Sequence, residues 1–593
     1  MAATPKIIVV GGGLAGLAAV IKIAEMGGEV DLFSIVPVKR SHSVCAQGGI
    51  NAAKNLKGEG DSTWIHFDDT IYGGDFLANQ PPVKAMCEAA PGIIDLLDRM
   101  GVPFNRTPEG LLDFRRFGGT LYNRTAFAGA TTGQQLLYAL DEQVRRYESE
   151  GKVKKYEHWE FLSAVLDRSR VCRGICAMDL RTMEVRTFPA DAIIIATGGI
   201  GAIFGKSTNS VVCTGSAQSA VFQQGVYYAN GEFIQVHPTC IPGEDKLRLM
   251  SESARGEGGR VWVPRAPGDK RAVKAIPEPE RFYFLEEWYP KYGNLVPRDV
   301  ATRAIHKVVY ELGLGLDGQP MVYLDLTHID RETLHHKLGG ILEIYEKFVG
   351  VDPCVEPMKI FPGMHYTMGG LWVDFNQMTN IPGIFAAGEC EYQYHGANRL
   401  GANSLVSCIF GGFHAGPNAM QYAKSVAAVE GDGGAATEVA RQAEINGKLL
   451  KNEGGENPFK LWRELGEAMT EHATVIRHNN SLKQTDGKIV ELLERYQRIN
   501  LSDKSQWANT SFAFTRQLKN MLELSRTIVG GAILRDESRG AHYKPEFPER
   551  NDERFLKTTK ASFTGSVEGP RFEFEEVDTQ YIKPRPRRYD AAK

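Results

Sequence analysis

The sequence has no long hydrophobic run. Its most apolar stretch, Ile7 to Ile21, is interrupted by Gly11, Gly12, Gly13 and Gly16 and stops at Lys22, short of the roughly 18 apolar residues a membrane span requires. The chain itself is not expected to cross a bilayer. Nor is one charge in excess: 69 Lys and Arg against 72 Asp and Glu leave a net charge of −3, so the electrostatic footprint of a nucleic-acid-binding protein is missing and no nucleic acid is expected as partner. The nine cysteines, at 45, 87, 172, 176, 213, 240, 354, 390 and 408, include no Cys-x-x-Cys. An odd, scattered set argues for a reducing compartment and against a disulfide framework. Cys172 and Cys176 have no second Cys or His pair beside them, so neither zinc nor an iron–sulfur cluster is expected and no metal site is assigned. The opening MAATPK shows no basic signal region or Arg-rich transit segment, as expected for a cytoplasmic chain.

What is present in excess is glycine, 63 in 593 residues, against an average share of about 7%. The glycines follow no collagen period and form no low-complexity tract. They therefore mark tight turns or close backbone approaches. At about 150 residues per domain the length suggests roughly four domain-sized units.

The first unit reads as a strand, Lys6 to Val10, a glycine turn, Gly11 to Gly16, a helix to about Met26 and a second strand from Glu29 to Ser34. Gly11, Gly13 and Gly16 fit the dinucleotide fingerprint, with the phosphates facing helix N–H groups beside Ala15. Ser34 stands where an acidic residue would hold the ribose of NAD. Gly313 to Gly318 has the same glycine spacing but follows a helical pattern, Ala301 to Leu312, and reads as a helix stop. Two more runs, Ala192 to Gly199 and Gly383 to Glu389, suit buried parallel strands ending in glycine turns. Glu389 is placed to bond a polyol hydroxyl. Asn403-Ser404-Leu405 reads as an N-cap opening a helix to His414, whose positive end could face a flavin pyrimidine.

Strand pieces so far apart imply an interrupted nucleotide domain. The expected architecture is α/β: a Rossmann-like FAD-binding domain (1–239 and 356–432), an α+β capping domain (240–355), a helical bundle (433–535) and a small C-terminal domain (536–593). The bundle rests on polar-faced helical patterns over Leu461 to Ala473, Ile489 to Ile499 and Phe512 to Ile528. Arg585, Arg587 and Arg588 near the end read as a terminal domain or a partner-facing tail.

The stretch Lys39-Arg-Ser-His-Ser-Val-Cys-Ala-Gln-Gly-Gly-Ile50 follows the second strand, where an isoalloxazine would lie. Five other segments set His or Arg among small residues: Val236 to Thr239, Ser251 to Gly259, Pro297 to Arg303, Met364 to Gly370 and His395 to Ser404. Arginines in glycine turns beside histidines suit carboxylate binding, because a guanidinium offers a planar fork.

Together these segments resemble the flavoprotein subunit of succinate dehydrogenase and fumarate reductase, from the glycine turn to about residue 420 and more weakly beyond. Met250 to Arg255, with Gln223 to Tyr228, is most similar to the branch paired with a diheme cytochrome b anchor. The resemblance implies FAD attached covalently through His42, with Ser41, Lys39, Arg40, Gln47, Gly48 and Gly49 beside the cofactor. It implies that His237, Ser251, His365 and Arg399 hold the carboxylates of succinate or fumarate, with Phe117 and Gln47 at the substrate. It gives Arg298 the exchange of a proton with the substrate carbon and Glu252 and Arg255 its relay. Gly256, Gly258, Gly259, Gly369, Gly370, Gly396 and Gly401 would surround the dicarboxylate. Implied partners are an iron–sulfur subunit and, through it, a membrane cytochrome b and quinone, placing the chain peripherally on the inner face of the cell membrane.

Three departures accompany the likeness: Ser216 stands for an Asp, Ser251 for a Thr and Ala254 for a Cys. The alternatives are L-aspartate oxidase or a soluble fumarate reductase; His42 in its RSH setting argues against the first. A flavin-binding scaffold acting through RNA would need the basic patch the chain lacks.

Overall fold

The computed structural model describes residues 4–241, 243, 246–426 and 433–589. Its centre is a five-stranded parallel sheet in the order Ile384–Ala386, Ala192–Ile195, Lys6–Val10, Glu29–Ser34 and Val153–Glu157. Apolar side chains cover both faces. Ile7 and Val9 pack toward helices Leu14–Glu25 and Asn403–Ser425, while Ile8 and Val10 face a second core that reaches the C-terminal helices. The continuous apolar character of these strands follows from burial on both sides.

A six-stranded antiparallel sheet carries the region between the glycine-turn pieces. It is built on the pairing of Ile234–Ile241 with Met358–Thr367 and extends through Val322–Asp325 and Arg260–Pro264. Its core, Ile241 to Ile360, is a separate hydrophobic cluster joined by Tyr589. Helices Ala435–Lys451, Pro458–His472, Asn479–Tyr496 and Thr510–Leu534 follow. The boundary expected at 432/433 adjoins residues 427–432, which lie outside the described residues, as do Met1 to Ala3 of the N-terminal reading.

The expected N-cap at Asn403 needs correction. Ala402, at φ +62°, caps that helix, and Asn403 is its first residue. Asn403 Oδ1 instead accepts from Asn51 Nδ2 at 2.7 Å and lies 2.9 Å from His66 Nε2, a buried network that uses the oxygen a cap would need. The helix runs on to Ser425. The basic tail also differs from a free, partner-facing one. Lys557–Ser562 and Arg571–Glu576 form a hairpin on a four-stranded sheet, and Arg585 and Arg587 form ion pairs with Asp68 and Asp299. Among the described residues no helix is long and apolar enough to cross a membrane.

Candidate functional site

The turns at the C-terminal ends of the parallel strands open into one cavity of about 510 Å3. It is lined by Gly11, Gly13, Ala15 and Ser34 at the glycine turn, by Ser41, His42, Gln47, Gly48 and Gly49, and by Glu389, Ser404 and Leu405. Phe117, His237, Ser251, Glu252, Arg298, His365 and Arg399 line it too.

The glycine turn fits a pyrophosphate. At φ +118°, a Cβ on Gly11 would sit 2.1 Å from the Ala196 carbonyl oxygen, and one on Gly16 1.9 Å from that of Gly11. Gly16 thus serves helix-on-strand packing and does not line the cavity. A Cβ on Gly13 would meet the Ser43 hydroxyl at 3.1 Å and that of Ser41 at 4.0 Å, so hydroxyls able to bond a phosphate, and no backbone, face that side of the turn. The helix beginning at Leu14 has no acidic residue in its first turn and its Leu14 N–H meets only the neutral Ser43 hydroxyl at 3.2 Å, so its positive end has no counter-charge and suits an anion.

Lys39 and Arg40 are not part of this cavity. The short turn Val38–Arg40 directs them outward: Lys39 Nζ lies 3.8 Å from Asp141 and over the Tyr138 ring, and Arg40 is exposed. Several glycines expected around the substrate also serve another purpose. A Cβ on Gly369 or Gly370 would collide with the Asn230 or Cys390 carbonyl, so these allow one backbone to pack on another. Gly118 and Gly401 do border the site, since added Cβ atoms would lie 2.1 and 3.1 Å from the Glu252 carboxylate.

At the polar end, the pairing of His237 with Gly363 brings His237 and His365 together, ring centroids 5.0 Å apart. The Thr239 backbone N–H donates to His237 Nδ1 at 3.2 Å. That fixes Nδ1 as acceptor and places the proton on Nε2, which is buried without a partner. Burial first, then neighbouring Arg298, holds both imidazoles well below their ordinary pKa. The Arg399 guanidinium lies 4.3 Å from the Tyr366 ring centroid, its Nε buried and unpartnered. Burial and then the Arg298 charge bring its pKa down to about 9. Unmet donors on His237 and Arg399, side by side with Arg298, form a site for an anion with several acceptors.

Arg298 opens helix Arg298–His306, which docks on strand Ile234–Ile241 through Thr302 Oγ1 and the Val236 carbonyl at 3.1 Å. Its Nε and Nη2 donate to Glu252 Oε2 at 2.9 and 2.8 Å. Arg255 stands behind, donating from Nη2 to Glu252 Oε1 at 2.7 Å and from Nη1 to the Val296 and Asn294 carbonyls. Burial alone would raise the Glu252 pKa; Arg298 and Arg255 outweigh it and hold the carboxyl below its ordinary value. Glu389, facing the cavity, is instead raised to about 7 by burial.

The sequence reading missed Gln235, whose Oε1 accepts from Arg298 Nη1 at 3.0 Å while Nε2 donates to the Arg399 carbonyl at 2.8 Å. Its position two residues before His237 on one strand was the available signal. Lys246, Thr208 and Asn209 were missed as well. Thr208 Oγ1 bonds His365 Nδ1 at 2.6 Å, and Lys246 Nζ reaches the Thr208 and Asn209 carbonyls at 3.3 Å.

A dinucleotide cradle opening onto a cationic pocket defines an FAD-dependent oxidoreductase acting on a small anion. Residues 6–405 match the family model for an FAD binding domain and residues 462–589 that for the fumarate reductase flavoprotein C-terminus. The chain is 63% identical over 591 residues to the succinate dehydrogenase flavoprotein subunit of Bacillus subtilis, covering 99% of each. It is 35% identical to the fumarate reductase flavoprotein subunit of Escherichia coli, covering 98% of this chain and 95% of that one. The fold superposes on a solved E. coli quinol fumarate reductase chain with a TM-score of 0.91 at 32% identity, covering 100% of both. The chain belongs to the family of succinate dehydrogenase and fumarate reductase flavoprotein subunits.

Proposed function

We propose that the chain interconverts succinate and fumarate on covalently bound FAD and passes electrons to an iron–sulfur subunit. The observation that carries this reading is the Arg298–Glu252–Arg255 chain opening into the flavin cavity beside the unmet donors of His237 and Arg399. FAD, when bound, supplies the two-electron acceptor for a hydride. His237 Nε2–H, Ser251, His365 and Arg399 hold the two carboxylates, and the buried cations favour the charge that develops as the C–H bond breaks or forms. Arg298 exchanges the proton at the adjacent carbon, and Glu252 and Arg255 carry it toward the Asn294 loop. Phe117 and Gln47 border the substrate, and Ser34, Glu389, Ser404 and Leu405 border the cofactor. Residues 240–355 act as the capping unit over 1–239 and 356–432, followed by the helical and C-terminal units.

His42 suits the covalent link. The Ser210 backbone N–H donates to its Nδ1 at 3.1 Å, while Nε2 has only the Asn209 amide at 3.4 Å. Burial and then Lys246 lower its pKa to about 4, so the ring is neutral with its one proton on Nε2; Nε2 would give up that proton on taking the carbon link, Nδ1 remaining the acceptor from Ser210. Among the described residues no cluster of His, Cys, Asp and Glu could hold a metal ion; the electrons go to the separate iron–sulfur subunit proposed above. A membrane cytochrome b and quinone then follow, with this chain peripheral on the inner membrane face. The test is fluorescence of the denatured chain on a gel: the parent is yellow-fluorescent and His42→Ser is not. A dark parent band would overturn the covalent assignment.

A further inference from the structure

The C-terminal strap crosses from the flavin half of the molecule to the capping half. On the flavin side, Asn79 Oδ1 accepts from Asp578 N at 2.9 Å, and Gln80 Oε1 accepts from Tyr581 N and Ile582 N at 2.8 Å each. Arg585 grips Asp68 with two bonds of 2.8 and 2.6 Å, and the Tyr72 hydroxyl bonds both backbone groups of Arg588. On the capping side, Arg587 makes two bonds to Asp299, 2.6 and 3.0 Å long. Tyr589 packs edge-on against Tyr292 from that side and Tyr72 from the other, with centroids 5.0 and 5.6 Å apart.

Asp299 is the residue after Arg298, in the first turn of the same helix. The Asp299 and Arg587 side chains are only 1% and 7% exposed. A two-point guanidinium–carboxylate pair away from water defines direction as well as distance. Arg303 reaches the same carboxylate at 3.2 Å, but it belongs to the helix being held. Arg587 is the cation that ties Asp299 to a segment anchored on the flavin side.

We propose that Arg587, acting through Asp299, is a positioning residue for Arg298, and that the strap at 578–589 clasps the proton-transfer arginine to the flavin half of the molecule. The inference rests on the proton role proposed above for Arg298. Its test uses the assembled holoenzyme and succinate-driven dye reduction. Arg587→Gln lowers kcat about tenfold, the scale expected when a catalytic group is slightly misplaced, with KM within about twofold and flavin content unchanged. Arg585→Gln, which loses the Asp68 pair and the stacking over Tyr72 and Phe76 but leaves the strap's bonds to Asn79, Gln80 and Tyr72 in place, keeps kcat within about twofold. Asp299→Asn combined with Arg587→Gln restores most of the lost kcat by replacing the ion pair with a neutral hydrogen-bonded pair. Should Arg587→Gln not fold, Arg587→Lys, keeping the charge without the fork, gives an intermediate kcat. Parental kcat in Arg587→Gln, an equal loss in Arg585→Gln, no recovery in the double variant, or parental kcat in Arg587→Lys would each overturn the clasp. Arg298→Ala keeps the two failures apart: full turnover there removes the proton assignment itself, whereas an inactive Arg298→Ala beside a fully active Arg587→Gln removes the clasp alone.

Discussion

Glu252 is shared between two arginines, one on each oxygen: Oε2 takes Arg298 at 2.8 and 2.9 Å and Oε1 takes Arg255 at 2.7 Å. All three side chains are nearly excluded from solvent. A proton entering at Arg298 therefore meets a continuous line of charged hydrogen-bonding groups that ends at the Asn294 carbonyl. Arg298→Ala interrupts that line at its substrate end. The expected loss in kcat is about 10²- to 10⁴-fold, the usual range for a general acid or base, with flavin content unchanged by absorbance. Wild-type turnover would falsify the assignment.

Arg399 gives the site a basic limit. Because burial and Arg298 hold its pKa down to about 9, the free enzyme loses this cation as pH rises through that value. The quantity that reports free-enzyme groups is kcat/KM, and it is expected to fall above pH about 9. Arg399→Lys keeps a charge but not the planar fork, so its KM rises at neutral pH. A kcat/KM that stays flat to pH 10 would show that Arg399 keeps its charge there, and an unchanged KM in Arg399→Lys would remove it from carboxylate binding.

Glu391 links stability, rather than activity, to pH. It is buried, accepts from Gln393 N at 2.7 Å, and burial raises its pKa to about 8. Between the ordinary carboxyl value and about 8 the folded chain keeps a proton that the unfolded chain releases. This stabilising contribution is full at acid pH and is lost as pH rises through about 8, by at most roughly 1.4 kcal/mol per pH unit. Urea unfolding at pH 5 and pH 8 should show a smaller loss of stability in Glu391→Gln than in the parent. Equal losses would place the ionisation elsewhere.

The glycine turn and the three strands that feed it were legible because their signals are local: an apolar run, a spacing of glycines, a helix. The roles of His237, His365 and Arg399 came from resemblance, and the structure brings these residues to one cavity. Lys39 and Arg40 misled because they adjoin Ser41 and His42 in sequence, and nothing in the sequence reports that a short helical turn rotates them to the surface. Asn403 has the right chemistry for a cap, but its partners, Asn51 and His66, are more than 300 residues away. Arg587 is separated from Asp299 by 288 residues. A pair so distant leaves no periodicity, and its tail could only be read as charged.

The order of strands in the parallel sheet also sets when a site can exist. The cavity is floored by turns after Val10, Ile195 and Ala386, with the helix from Asn403 beside them. A nascent chain that ends before residue 389 has the glycine turn but neither Glu389 nor Arg399. Contacts this distant in sequence form late. During synthesis the N-terminal half must therefore wait with an incomplete nucleotide cradle, and secure capture of the flavin belongs to the last third of translation or after release.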